Sequence, residues 1–198
     1  TDDLDDDPEV LERFNEEAML EQDNTVWGAV MYWVPTIHRA EVDRLENLEQ
    51  WTRWLRQGGT IPPNQLSSAR QLSDLIVFDY VIGNWDRWSS HNVFWGPDRE
   101  VLLIMDNNAA FNVEYADHIR ARLEAPLEQV ERFSVILYRR LVGLSEEDIR
   151  AEFAEDLAGE NLLTDEQIEA VLARRDRVIA HIETLQARHG HDEVLCFP

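Results

Sequence analysis

Residues 77–111, VFDYVIGNWDRWSSHNVFWGPDREVLLIMDNNAAF, change structural character three times in one uninterrupted stretch. Leu66, Leu72, Leu75, Ile76, Phe78 and Tyr80 recur at helical spacing, so a helix is expected from an N-cap at Asn64 through Ile82. Gly83-Asn84 ends it, because glycine readily takes the left-handed conformation that closes a helix. Asn92–Trp95 and Val101–Met105 are short apolar runs around Gly96-Pro97-Asp98-Arg99, which is the pattern of a β-hairpin. A helix therefore delivers Asp86 to a short loop, and a hairpin carries the chain from Asn92 to Asp106.

The rest of the chain builds around this unit. Glu41–Gln57 reads as a helix with Val42, Leu45, Leu48, Trp51 and Leu55 on one side, stopped by Gly58-Gly59. Upstream, TVWGAVMYWV (Thr25–Val34) reads as a strand, apolar on both faces and ended by Pro35. The opening TDDLDDD is a solvated run of charge, after which Pro8 can start a helix to about Glu21. Downstream the pattern is helical: Pro126–Val142 as one helix opened by its proline, another from Ser145, and a long one from Thr164 to about His189. Thr164 and Gln167 have the spacing of a capping box. No repeat or linker interrupts residues 24–198, which are expected to be one domain behind an acidic segment and helix at 1–23. The fold class expected is mainly α, with a small β component (α+β).

Composition narrows the function. The 198 residues are 44% hydrophobic, enough apolar material for a packed core. Forty acidic residues oppose eighteen basic ones, all arginine, for a net charge of −22. Such a surface repels phosphate backbones, so nucleic acid is excluded as a partner. No apolar run approaches the ~18–20 residues of a membrane-spanning helix, so membrane insertion is not expected. Cys196 is the single cysteine, which leaves no disulfide within the chain and no zinc-type cluster.

An acid in a loop, an asparagine six residues later and an acid closing a hairpin together suit phosphoryl transfer. Asp86 would orient and deprotonate a hydroxyl, while Asn92 and Asp106 would hold a magnesium or manganese ion against nucleotide phosphates. Each piece has a plainer reading. Gly83-Asn84 is also an ordinary helix cap, Asp86-Arg87 an ordinary ion pair and Asp106-Asn107-Asn108 an ordinary turn. Their order along one helix–loop–hairpin unit favours the functional reading. Arg87 could neutralise or position Asp86, and Trp85 and Trp88 are either packing residues or a platform for a sugar ring.

With FDY at 78–80, GNWDR at 83–87 and MDN at 105–107, the sequence resembles the four-jointed and Golgi secretory-pathway kinases, a divergent branch of the protein-kinase fold. The resemblance implies a kinase large (C-terminal) lobe that uses ATP with Mg or Mn. The acceptor would be a protein Ser/Thr or a glycan hydroxyl, and the setting secretory or extracytoplasmic. It makes Asp86 the catalytic aspartate with Arg87 beside it, Asp106 the metal-binding aspartate and Asn92 a second metal ligand. Asn107 and His91 would lie towards the nucleotide. VWGAVMYWVP resembles the strand that carries the interlobe hinge, which brings Met31 and Trp33 to the nucleotide as well.

Three features depart from the general kinase pattern. There the asparagine follows the catalytic aspartate by five positions; here that position is His91 and Asn92 comes one later. No GxGxxG loop occurs, and the chain contains no lysine to grip the phosphates. Few residues precede the hinge-like strand, so the small lobe is expected on a missing segment or a separate chain, and the isolated chain is expected to be inactive or nearly so. A non-catalytic kinase scaffold, or pseudokinase, is the rival reading. A small-molecule phosphotransferase of the antibiotic-kinase type is a third, but its His-Gly-Asp loop does not occur here.

Overall fold

Two helices lead to the loop, α1 (Leu45–Leu55) and α2 (Leu66–Ile82). The computed structural model describes residues 34, 36–42, 44–88, 92–153 and 162–198. Helix α2 is buried on nearly every side from Leu72 onward, including Ser73 and Asp79. A helix apolar all round belongs at the centre of a core, and α2 packs against α1, α3 (Asp117–Glu128) and α6 (Asp165–His189). Two shorter helices, α4 (Val135–Gly143) and α5 (Glu146–Phe153), pack on α6, as does a final turn, α7 (His191–Val194). The described residues from 36 onward belong to one compact unit, Pro35–Pro198.

The sheet is small. Strands β1 (His38–Arg39), β2 (Val93–Trp95) and β3 (Leu102–Ile104) are antiparallel in the order β1-β2-β3. Val93 lies opposite Ile104, and His38 opposite Trp95. The hairpin was expected; β1, two residues long, carries no sequence signal of its own. Gln71 of α2 fixes the hairpin to the central helix, with Nε2 donating to Glu100 O (2.8 Å) and Oε1 accepting from Leu102 N (2.8 Å).

Several boundaries differ from expectation. Helix α1 begins at Leu45 rather than Glu41, because Glu41 has φ 47° and Arg44 is still extended. Leu48 is 48% exposed instead of joining the core face. A 3-10 turn at Pro63–Gln65 precedes α2, so Asn64 does not cap it.

The expected helix Pro126–Val142 is two helices. Pro126 sits inside the last turn of α3, and α4 starts afresh after Ser134, whose side chain accepts from Leu137 N. Long-range bonds hold the intervening segment extended: Glu131 N to Leu55 O, Phe133 N to Val194 O and Val135 N to Phe197 O, at 2.7–2.9 Å. Phe133 and Phe197 are fully buried there. The Thr164–Gln167 capping box is present with both of its hydrogen bonds. The helix expected from Pro8, the strand over Thr25–Val34 apart from its last residue, and the 23/24 boundary lie outside the described residues.

Candidate active site

The last turn of α2 sets the site. Gly83 has φ 74°, its N–H bonds Tyr80 O, and Asn84 N bonds Asp79 O at 2.8 Å. This is the doubled C-terminal closure that glycine makes available. A Cβ at Gly83 would come 2.1 Å from the Tyr115 hydroxyl and 3.0 Å from Arg174 Cζ. No other residue fits the position without movement.

Asn84, 2% exposed, then uses both ends of its amide. Its Oδ1 accepts from Asp86 N at 3.2 Å, and its Nδ2 donates at 3.4 Å to Asp106 O and to Asn107 Oδ1. One buried side chain thus links the loop that carries Asp86 to the turn that carries Asp106. Asn92 joins the same cluster, with Nδ2 donating to Asp86 O at 3.2 Å. The geometry brings Asp86, Asn92, Asp106 and Asn107 together.

Arg87 makes the second link. Its side chain is fully buried, and Nε lies 3.0 Å from both carboxylate oxygens of Asp79. Nη1 donates to Met105 O and Asp106 O, and Nη2 donates to Asn107 Oδ1. The guanidinium therefore acts on the site from behind, through the 105–107 turn, and does not face a substrate. Burial pushes the Asp79 carboxyl up to about 7, against the pull of Arg87. Sequence reasoning quoted Asp79 within a motif but gave it no role. Its pairing with Arg87, eight residues on across the helix end, has no local pattern to betray it.

Asp106 has φ 57°, in the left-handed region that aspartate tolerates better than most residues, and its Oδ1 accepts from Asn108 N at 3.1 Å. Its side chain lies at the surface. Asp86 is 37% exposed at its side chain, with Arg122 Nη2 4.0 Å from Oδ1. That guanidinium also lies 5.1 Å over the Trp85 ring. Neither carboxylate is sealed in the interior.

The donor types fit a hard divalent cation, since Asp106 and Asn92 offer oxygen ligands of the kind magnesium and manganese prefer. No group of three or more His, Cys, Asp or Glu side chains is suitably placed to hold a metal among the described residues. A cation at Asp106 and Asn92 would then take its remaining ligands from phosphate and water, the habit of magnesium in nucleotide sites. His91, Met31 and Trp33 lie outside the described residues.

Beside Asp86 runs an apolar groove of about 530 Å³, lined among others by Trp51, Trp85, Trp88, Arg122 and Pro126. Trp51 and Trp88 meet at 6.1 Å with tilted rings. Sequence reasoning missed Arg122, which signals itself only through this contact geometry. No helix among the described residues is long and apolar enough to cross a membrane.

Human glycosaminoglycan xylosylkinase is 25% identical to this chain over 187 residues, 85% of the chain and 44% of that protein. The chain thus spans less than half the length of that relative. The family described as Golgi casein kinase, C-terminal, Fam20, matches residues 15–194. The helix–loop–hairpin–turn order and the GNWDR and MDN segments fall within that match, and the chain belongs to the Fam20 family of Golgi kinases, of which it represents the C-terminal, kinase-like lobe.

Proposed function

We propose that this lobe is the catalytic half of an ATP- and metal-dependent phosphotransferase. The observation that carries the reading is the shared anchor: the Asp86 and Asp106 backbones hang on one buried amide, Asn84, at 3.2 and 3.4 Å. A base for the incoming hydroxyl and a ligand for the phosphate-bound cation must keep a fixed separation, because phosphoryl transfer depends mostly on positioning and charge stabilisation. In the reaction, the acceptor oxygen forms a bond to the γ-phosphorus while the bond to ADP breaks. Asp86 aligns the acceptor hydroxyl and takes its proton. Asp106 and Asn92 would hold Mg or Mn, which when bound would offset charge on the phosphates. Arg87 and Asn107 keep the metal turn in register with the loop.

The acceptor is a glycan hydroxyl or a protein Ser/Thr. The tryptophan-lined groove beside Asp86 and the sugar-directed name of the human relative support the glycan. The family's Golgi setting supports a secretory or extracytoplasmic location for the parent protein. Catalysis in that protein would need the nucleotide-gripping small lobe as a further segment or chain.

Asp86→Ala in the complete protein should cut transfer from ATP to a xylose-containing glycan or a Ser/Thr peptide by about 10²–10⁴-fold, the range for loss of a general base. Its unfolding temperature should hold. Undiminished turnover would remove Asp86 from the role. Metal-dependent nucleotide binding with no transfer to either acceptor, in the complete wild-type protein, would favour the pseudokinase reading instead.

A further inference from the structure

Behind the end of α2, on the side of Tyr115 and α6, lies a second cavity of about 430 Å³. Its lining includes Tyr80, Tyr115, Arg120, Arg174 and Arg177. In a chain with forty acids and eighteen bases, three arginines gathered at one cavity call for an explanation. Two carboxylates, Glu114 and Glu124, also line it, yet among the described residues none of these three arginines is within ion-pair distance of any carboxylate.

Arg174 is only 5% exposed. Its Nε donates to Val81 O at 2.9 Å and Nη1 to Asn112 O at 3.1 Å, which accounts for part of its fork. Both carbonyls carry partial negative charge, that of Val81 at the end of α2, but neither is a counterion. Nη2 has no hydrogen-bond partner. The Tyr115 ring lies 6.0 Å from the guanidinium, and Arg120 Nη2 donates to Tyr115 O at 3.4 Å. Burial is the main influence against the charge on Arg174 and outweighs the opposing effect of Tyr115 and Tyr80, and the nearby Arg177 adds to it. A buried cation crowded by a like charge and lacking a carboxylate is an electrostatic deficit that an anion would relieve.

We propose that this cavity binds a tetrahedral oxyanion, phosphate or sulfate, either free or carried as an ester. Guanidinium groups match such oxygens in geometry as well as in charge. Arg120 and Arg177 are exposed at the cavity and would grip the anion. Arg174 supplies the positive field beneath them. The site is separate from the loop chemistry and does not depend on the phosphotransferase reading. It does touch the same helix end, since Tyr115 donates to Gly83 O at 2.7 Å and Arg174 to Val81 O.

The test is calorimetric titration of the full chain, without divalent metal, with inorganic phosphate, inorganic sulfate and a monosaccharide phosphate. The Arg120→Ala/Arg177→Ala double variant should lose at least about tenfold in affinity, as expected when charge-assisted hydrogen bonds are removed. Arg139→Ala/Arg140→Ala on α4 makes the same change in net charge away from the cavity and should bind as wild type does. Tighter binding of the sugar phosphate would identify an ester as the natural form; equal binding would identify the free ion. No heat with any of the three, or an unchanged affinity in the Arg120/Arg177 variant, would overturn the site.

Discussion

Replacing Arg87 by Met measures how far the site rests on its buried pair. The carboxyl of Asp79 is held up at about 7 by burial, and both effects opposing burial come from Arg87. Without the guanidinium they vanish, and the carboxyl moves further up. In the unfolded chain it has its ordinary value of 3.8. A folded value raised above the unfolded one gives stability that is fully present below 3.8 and is lost as pH rises through the folded value. In the wild type that loss ends near pH 7, whereas in Arg87→Met it continues beyond. The deficit of the variant should therefore widen above neutrality by up to about 1.4 kcal/mol per pH unit. Below neutrality it should be constant, because Asp79 is protonated in both proteins. That constant part is mainly the lost donor to Met105 O, about 1–3 kcal/mol, because Asp106 O and Asn107 Oδ1 still accept from Asn84 Nδ2. Urea unfolding between about pH 6 and pH 9 reads both parts. The Asp79→Asn/Arg87→Met double variant should keep the constant part and lose the slope. A deficit in Arg87→Met that is the same at both ends of the range, or a slope that survives in the double variant, would refute the argument.

Two further outcomes follow from the same geometry. Gly83→Ala should lower the unfolding temperature by more than the ~1–2 kcal/mol of a left-handed backbone would explain, because its Cβ would meet the Tyr115 hydroxyl at 2.1 Å. Adding Tyr115→Phe should restore the part due to that contact and leave the backbone strain. In the complete protein, Trp85→Ala should raise KM for a glycan acceptor about fivefold, near the ~1 kcal/mol of one stacking or cation–π contact, and leave KM for ATP unchanged. An equal rise in both would place Trp85 in packing rather than in the acceptor groove.

What the sequence made legible was whatever its short-range pattern encodes. The end of α2 at Gly83-Asn84, the hairpin around Gly96, the capping box at Thr164 and the length of α6 all depend on neighbours within a few residues. The breaks in expectation sit where distant partners decide. Residues 130–134 look helical beside Pro126, yet carbonyls of Leu55 and Val194 hold that segment extended. Strand β1 exists only because β2 offers it an edge. At the site, the acids and amides were visible as a motif, but the atoms that join them were not. Asp79 reaches Arg87 across the helix cap, and Arg174 arrives from α6 to hold the carbonyl of Val81.

The choice of an amide at position 84 follows from what the link has to do. The position must accept a hydrogen bond from Asp86 N and donate one to Asp106 O at the same time. Asparagine does both; an ionised aspartate only accepts, and a lysine only donates. An aspartate there would keep the loop bond but set carboxylate oxygen against the Asp106 carbonyl and Asn107 Oδ1 at about the 3.4 Å that now separates donor from acceptor. It would also add negative charge beside two acids in a chain already at −22. The guanidinium that also holds the turn, Arg87, has its partner buried with it at Asp79, a countercharge once that carboxyl ionises above about pH 7, so the bond to the turn does not draw on the exposed carboxylates. The register between loop and turn thus rests on the neutral amide of Asn84 and on the buried Arg87–Asp79 pair, which leaves the Asp86 side chain partly exposed and that of Asp106 at the surface.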